Sequence, residues 1–235
     1  MENTANKVVM ISGANRGIGL AIAENLLNEN YRLSLGVRNP DQLQEVLASA
    51  PESQMLCQFY DARDRESAMT WIDATAAKFG GIDVLVNNAG ILHTAGLEDD
   101  AEDLLDDMWE VNAKAPLRLT WLVFPHLRKS GSGRIIDIIS MSGKRVKGNW
   151  VGYSMSKYAA MAASQTARLQ GWDDGIRVTV ICPGFVKTDM TTEMNFPREK
   201  MTRPEDISQI VSTLLLLPNE AAVPEVMMNC VFENL

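Results

Sequence analysis

Val8-Val9-Met10-Ile11 is apolar at every position, and similar runs recur at residues 33–37, 56–60, 83–86, 134–139, 177–181 and 226–228. A strand with one wet face alternates apolar and polar residues, whereas a continuous run belongs to a strand covered on both faces. The intervening stretches are long enough for helices and read as such over 20–30, 40–48, 64–79, 101–129, 153–170 and 204–217. Asn39 and Pro40 supply an N-cap and a first-turn proline. Pro116 predicts a kink or break in the longest helix, because it lacks an N–H and its ring crowds the preceding turn. Strand and helix alternate throughout, the pattern of an α/β doubly wound parallel sheet with helices on both faces. The chain has 235 residues and no linker, repeat or low-complexity segment, which predicts one domain over 1–235.

Hydrophobic residues make up 46% and charged residues 22%, which excludes wholesale disorder. The net charge of −8 argues against general binding to nucleic acid or an anionic membrane, where Lys and Arg dominate. That acidity is concentrated. Glu98, Asp99, Asp100, Glu102, Asp103, Asp106 and Asp107 fall together with no Lys or Arg among them. An acidic run suits the start of the long helix, where the dipole favours anions; a metal site is the sharper alternative. Dispersed Cys57, Cys182 and Cys230 and only two histidines, His93 and His126, argue against a disulfide framework and a Cys- or His-rich metal site. No apolar run reaches the ~18 residues of a membrane helix. Residues 1–7 lack the layout of a signal peptide. The expectation is a soluble, cytoplasmic protein without a metal.

Ser12-Gly13-Ala14-Asn15-Arg16-Gly17-Ile18-Gly19 joins the first strand to the first helix. Glycines let the backbone approach a ligand closely. The following helix directs N–H groups and its positive dipole end at the turn, a setting for a pyrophosphate. An acid at the end of the second strand would take the ribose 2′-OH of NAD. Here Val37 is followed by Arg38, and Arg16 sits in the turn. Two guanidiniums suit a 2′-phosphate, so NADP(H) is expected over NAD(H). Asp41, beside Pro40, reads as a first-turn helix acid.

Tyr153 and Lys157 stand four apart at a helix start and share a face. A phenol with a pKa of about 10 is a weak base at neutral pH. A neighbouring ammonium favours its ionised form.

With these elements in order, the chain resembles the short-chain dehydrogenase/reductase family over nearly its whole length. Gly13, Gly17 and Gly19 match its glycine turn, with Ser12 where Thr is usual. Asp61 matches the acid after the third strand, Asn87-Asn88-Ala89-Gly90 the N-N-A-G signature, and Asn112 the Asn of the long helix. Ser140 stands thirteen residues before Tyr153, and Pro183-Gly184 with Thr188 matches P-G-x3-T. The resemblance implies a Rossmann-type oxidoreductase that interconverts a carbonyl and a secondary alcohol, assembled as a homodimer or homotetramer. It implies that Ser140 holds the substrate oxygen and that Tyr153 is the acid or base. Lys157 would lower the tyrosine pKa and bind ribose, and Asn112 would steady a water. Around the cofactor it places Gly13, Asn15, Arg16, Gly17, Ile18, Gly19, Arg38, Asp61, Ala62, Asn88, Ala89, Gly90, Tyr153, Lys157, Pro183, Gly184, Val186 and Thr188.

Residues 185–203, with Met190, Met194, Phe196 and Met201, correspond to a short substrate lid. Lys144, Arg145 and Lys147 either face an anionic substrate or water. Trp150 is either a pocket wall or an interface residue. Ser142 is a rival to Ser140 at the wrong spacing, and His93 reads as a loop histidine. Two other functions fit the same fold: a non-catalytic NADP(H)-binding regulator, and an isomerase or lyase with held cofactor.

Overall fold

The computed structural model describes residues 7–232. Among them, β1 (Val8–Ser12), β2 (Arg32–Val37), β3 (Met55–Phe59), β4 (Val84–Asn87), β5 (Arg134–Ile138), β6 (Arg177–Pro183) and β7 (Glu225–Met228) form one sheet. Its order is β3-β2-β1-β4-β5-β6-β7, and all neighbours are parallel. The helices are α1 (Gly17–Asn28), α2 (Pro40–Val46), α3 (Arg65–Phe79), α4 (Glu102–Trp109), α5 (Ala115–Ser130), α6 (Val151–Gly171) and α7 (Pro204–Leu216).

The continuous apolar runs divide between two cores. Val9 and Ile11 of β1, Val84 and Val86 of β4, and Ile136 and Ile138 of β5 face one layer with α1, α2 and α7. Met10, Leu85 and Ile135 face the other, with α3, α5 and α6. Successive strand residues point to opposite faces, so a strand buried on both sides must be apolar throughout.

The expected long helix is interrupted just before Pro116. A π-helical turn, Glu110–Lys114, separates α4 from α5, and Pro116 occupies the first turn of α5. Pro116 has no N–H to give the carbonyl of Asn112 four residues earlier, so regular winding fails there. Asn39 caps α2 as expected, its side chain accepting from the Gln42 N–H at 3.3 Å. Asp64 caps α3, and Gly80 ends it in the left-handed region at φ +84°.

One packing contact had no signal in the pattern. Trp71 of α3 is fully buried against β2, its indole N–H donating to Ser34 Oγ at 2.8 Å. A Cβ at Gly36 would lie 2.6 Å from that ring. Gly36→Ala is therefore expected to destabilise the fold by about 1–3 kcal/mol through overpacking. Gly81→Ala, where a Cβ meets nothing within 4 Å, should leave the melting temperature nearly unchanged; equal melting of the two variants would overturn the packing account.

Candidate active site

A parallel sheet offers a crevice where the strand order reverses, beyond the carboxyl ends of the strands. Here the reversal lies between β1 and β4, and a cavity of about 440 Å³ opens there. It collects Gly13, Asn15, Arg16, Gly17 and Ile18 from the first turn, Arg38 after β2, and Asp61 and Ala62 after β3. Asn88, Ala89 and Gly90 follow β4, Ser140 follows β5, Tyr153 and Lys157 come from α6, and Pro183, Gly184, Val186 and Thr188 line the β6 side.

Side chains at the ends of two adjacent strands, β1 and β4, hold the glycine turn. Asn88 Nδ2 donates to the carbonyls of Ser12 and Gly13 at 3.0 Å each. Ser12 Oγ accepts from the N–H groups of Asn88 and Ala89 at 3.0 and 3.1 Å. Gly13 has φ +68°, and a Cβ there would come within 3.0 Å of Ala89 Cα. The first turn of α1, starting at Gly17 three residues earlier than expected, opens onto the cavity.

Two nominated residues stand behind the cavity wall. Gly19 faces the strand side, where a Cβ would lie 2.4 Å from the Gly13 carbonyl oxygen, so its role is close packing. Asn112 is buried in the π turn, its amide exchanging hydrogen bonds with the Ile91 backbone at 2.9 Å each and donating to Ser156 Oγ at 3.1 Å.

At the dinucleotide end, Arg16 pairs with Asp189 at 3.3 Å. Arg38 is exposed and makes no hydrogen bond or ion pair among the described residues. Asp61 accepts from the Arg63 N–H at 2.9 Å. Arg63 lines the cavity and reaches Asp107, which also bonds His93 at 3.1 Å. This accounts for His93 and one acid of the 98–107 run.

At the other end, Tyr153 and Lys157 are buried on the floor. Tyr153 and Ser140 line the cavity together, and the Lys157 ammonium lies 5.6 Å from the tyrosine ring centroid. Burial pushes the Tyr153 phenol up to about 12, the neighbouring Ser140 hydroxyl working in the opposite direction. Burial also pushes Lys157 down to about 8, with the carboxyl of Asp137 working in the opposite direction. Desolvation, not the expected pull of Lys157, governs the phenol, which stays protonated at neutral pH. Ser140 Oγ accepts from the Ser142 N–H at 3.0 Å. Ser142 therefore orients its rival.

Lys144 turns away to Glu225 of β7 at 2.9 Å, whereas Arg145 and Lys147 line the cavity. Trp150 is a wall residue, edge-on to Phe185, which stacks on Phe196. Sequence reasoning missed Arg63, Asp189 and Asn229 as lining residues. Asn229 follows β7, more than forty residues beyond Gly184 in sequence, and no local motif marks it.

The chain matches the short chain dehydrogenase family model over residues 7–199. It belongs to that family, whose members bind a nicotinamide cofactor. An agropine synthesis reductase of Rhizobium rhizogenes is 42% identical over 238 residues, covering 100% of this chain but 55% of that protein. The chain spans about half the length of the first curated relatives it matches. An uncharacterized oxidoreductase of Staphylococcus saprophyticus is 31% identical over 229 residues, covering 96% of this chain and 98% of that one. Among solved structures, an alcohol dehydrogenase from the archaeon Thermococcus sibiricus complexed with 5-hydroxy-NADP superposes with TM-score 0.89 and 31% identity, covering 97% of this chain and 98% of that one. A short-chain dehydrogenase from Streptomyces avermitilis shares the fold with TM-score 0.86 at 24% identity, covering 95% and 89%.

The donor set fits a dinucleotide: a glycine turn that a Cβ would obstruct, a helix start facing the cavity and a cation at the end of β2. Gly19→Ala should weaken NADPH binding by about tenfold or more, ~1.4 kcal/mol, by distorting the Gly13–Asn88 brace. Fluorescence titration of the reduced nicotinamide reads this directly; unchanged affinity would show that the brace does not set the turn.

Proposed function

We propose that the chain is an NADP(H)-dependent oxidoreductase that interconverts a small-molecule carbonyl and a secondary alcohol, poised for carbonyl reduction. The observation that carries this is Tyr153 buried on the cleft floor beside Ser140 and Lys157, where burial raises the phenol's pKa. A phenol that holds its proton at neutral pH is ready as an acid and poor as a base. In this reading the bound dinucleotide supplies the hydride. The Ser140 hydroxyl donates to the substrate oxygen and stabilises its developing charge. Tyr153 gives its proton to that oxygen. Lys157 stabilises the phenolate left behind and binds the ribose. The Asn112 carbonyl, without a Pro116 N–H, is available to steady a water that returns the proton.

Arg16 and Arg38 hold the 2′-phosphate in this reading, which the NADP derivative in the Thermococcus alcohol dehydrogenase supports. The Rhizobium relative, an agropine synthesis reductase, supports the reductive direction. A pure NADP(H) sensor has no need of Ser140, Tyr153 and Lys157 together. We assign residues 185–203 as the lid; they carry two short 3₁₀ turns and a Val186–Thr202 bridge. Exposed Trp109, Trp121, Met155, Tyr158 and Leu169 on α4, α5 and α6 support a homo-oligomer through that face. No helix among the described residues is long and apolar enough to cross a membrane; we assign a cytoplasmic location.

Tyr153→Phe is expected to lower kcat for NADPH-dependent ketone reduction at least about a hundredfold, with NADPH affinity retained; full activity would overturn the mechanism. Arg38→Asp should weaken NADPH far more than NADH in the same titration, and equal effects would remove the 2′-phosphate assignment. The reduction rate should fall as pH rises through about 8, where Lys157 loses its proton, while Tyr153 keeps its own. A rate flat to pH 10 would contradict the role of the ammonium.

A further inference from the structure

Behind the catalytic floor lies a second cavity of about 20 Å³, lined by Asn87, Asn112, Thr120, Asp137, Lys157 and Ser164 among others. A polar space of that size takes about one water when two to four polar groups surround it. Asp137 is on β5, one residue before Ile138, whose carbonyl accepts from Lys157 Nζ at 3.3 Å. Its carboxyl is buried and accepts from Asn87 Nδ2 at 2.7 Å and from Ser164 Oγ at 2.5 Å. Ser164 Oγ also lies 2.9 Å from the Ala160 carbonyl. The arrangement therefore satisfies both protonation states. As a carboxylate, Asp137 accepts the hydrogen bond of the Ser164 hydroxyl; as an acid, it donates to Ser164 Oγ, whose own hydrogen then turns to the Ala160 carbonyl.

We propose that Asp137 is a positioning residue that acts through Lys157: across the small cavity that both line, its carboxylate holds Lys157 as the ammonium and thereby sets the alkaline limit of reduction. The proposal rests on the reductive reading above and deepens it.

The groups facing Lys157 are few. From α6, Tyr153 stays neutral to about 12, and from β6 the Cys182 thiol is pushed up to about 11 by burial, so it too is neutral at pH 7. Glu225 of β7 and Lys144 act on Cys182 and pair with each other. Asn112 carries no charge. Asp137 is left as the acid that supports the ammonium, while burial raises its own pKa against the Ser164 and Asn87 hydrogen bonds and the charge of Lys157. The pair thus draws together, the acid upward and the base downward.

Asp137→Asn is the direct test, because the amide can accept from Asn87 and donate to Ser164, as the protonated acid would. The Lys157 13Cε resonance, assigned by its loss in Lys157→Met, is followed against pH alongside kcat. The expected result is a fall of about one pH unit in both the lysine midpoint and the alkaline limb, and about a fivefold lower kcat at pH 8. A folded variant with an unmoved lysine midpoint overturns the proposal. If the Asn variant does not fold, Ser164→Ala keeps the carboxylate and removes one donor. Asp137 then binds its proton more tightly, so the lysine midpoint and the alkaline limb should both fall by a few tenths of a pH unit, and a folded variant with both unmoved overturns the proposal. Absence of ketone reduction in the unmutated protein would instead remove the reductive reading and leave the lysine titration readable.

Discussion

The connections that leave β1 and β4 run to opposite faces of the sheet and open a crevice beyond the paired strands, yet the strand ends must stay fixed. Asn88 meets this constraint by bonding back to the carbonyls of Ser12 and Gly13, while Ser12 returns two hydrogen bonds to the N–H groups after β4. Four directional bonds across the switch point lock the glycine turn against the N-N-A-G turn. The direction of α1, the width of the cavity and the distance to Tyr153 all follow from that lock. Because the bonds lie at the cavity edge, partly shielded from water, they rigidify the turn more than the same bonds on an open loop.

Burial dominates the electrostatics of the floor. It raises the Tyr153 phenol and lowers the Lys157 ammonium, so each neutral form is favoured relative to water. That keeps the Tyr153 phenol protonated and leaves Lys157 close to its titration point, sensitive to whatever charge lies behind it. The break before Pro116 serves the same region. The π turn sets Asn112 against Ile91 and Ser156, with its carbonyl spared the N–H that a non-proline residue would supply.

Much of this was legible in residue order. Uninterrupted apolar runs imply burial on both faces, and both cores are present. Asn39 and Pro40 implied the start of α2, and the glycine spacing implied the first turn. The interruption at Pro116 was expected, but its form as a π turn depended on how α4 and α5 pack, beyond the reach of a local rule. Gly19 and Asn112 match their motifs yet stand off the cleft, because a motif records spacing and leaves open which face a side chain presents. The closeness of Lys144, Arg145 and Lys147 in sequence concealed their separation in space, with the first drawn to Glu225 and the other two lining the cavity.

By itself the sequence determined the alternation of strands and helices, the family and the residue types available for hydride chemistry, since these depend on periodicity and on short spacings. Only the tertiary structure decided that Trp71 packs over Gly36, that Asn229 closes the cavity beside Gly184, and that Asp137 shares a buried cavity with Lys157. Those contacts join residues far apart along the chain. Their energies come from desolvation and close approach, which are properties of the folded arrangement and leave no mark on local composition.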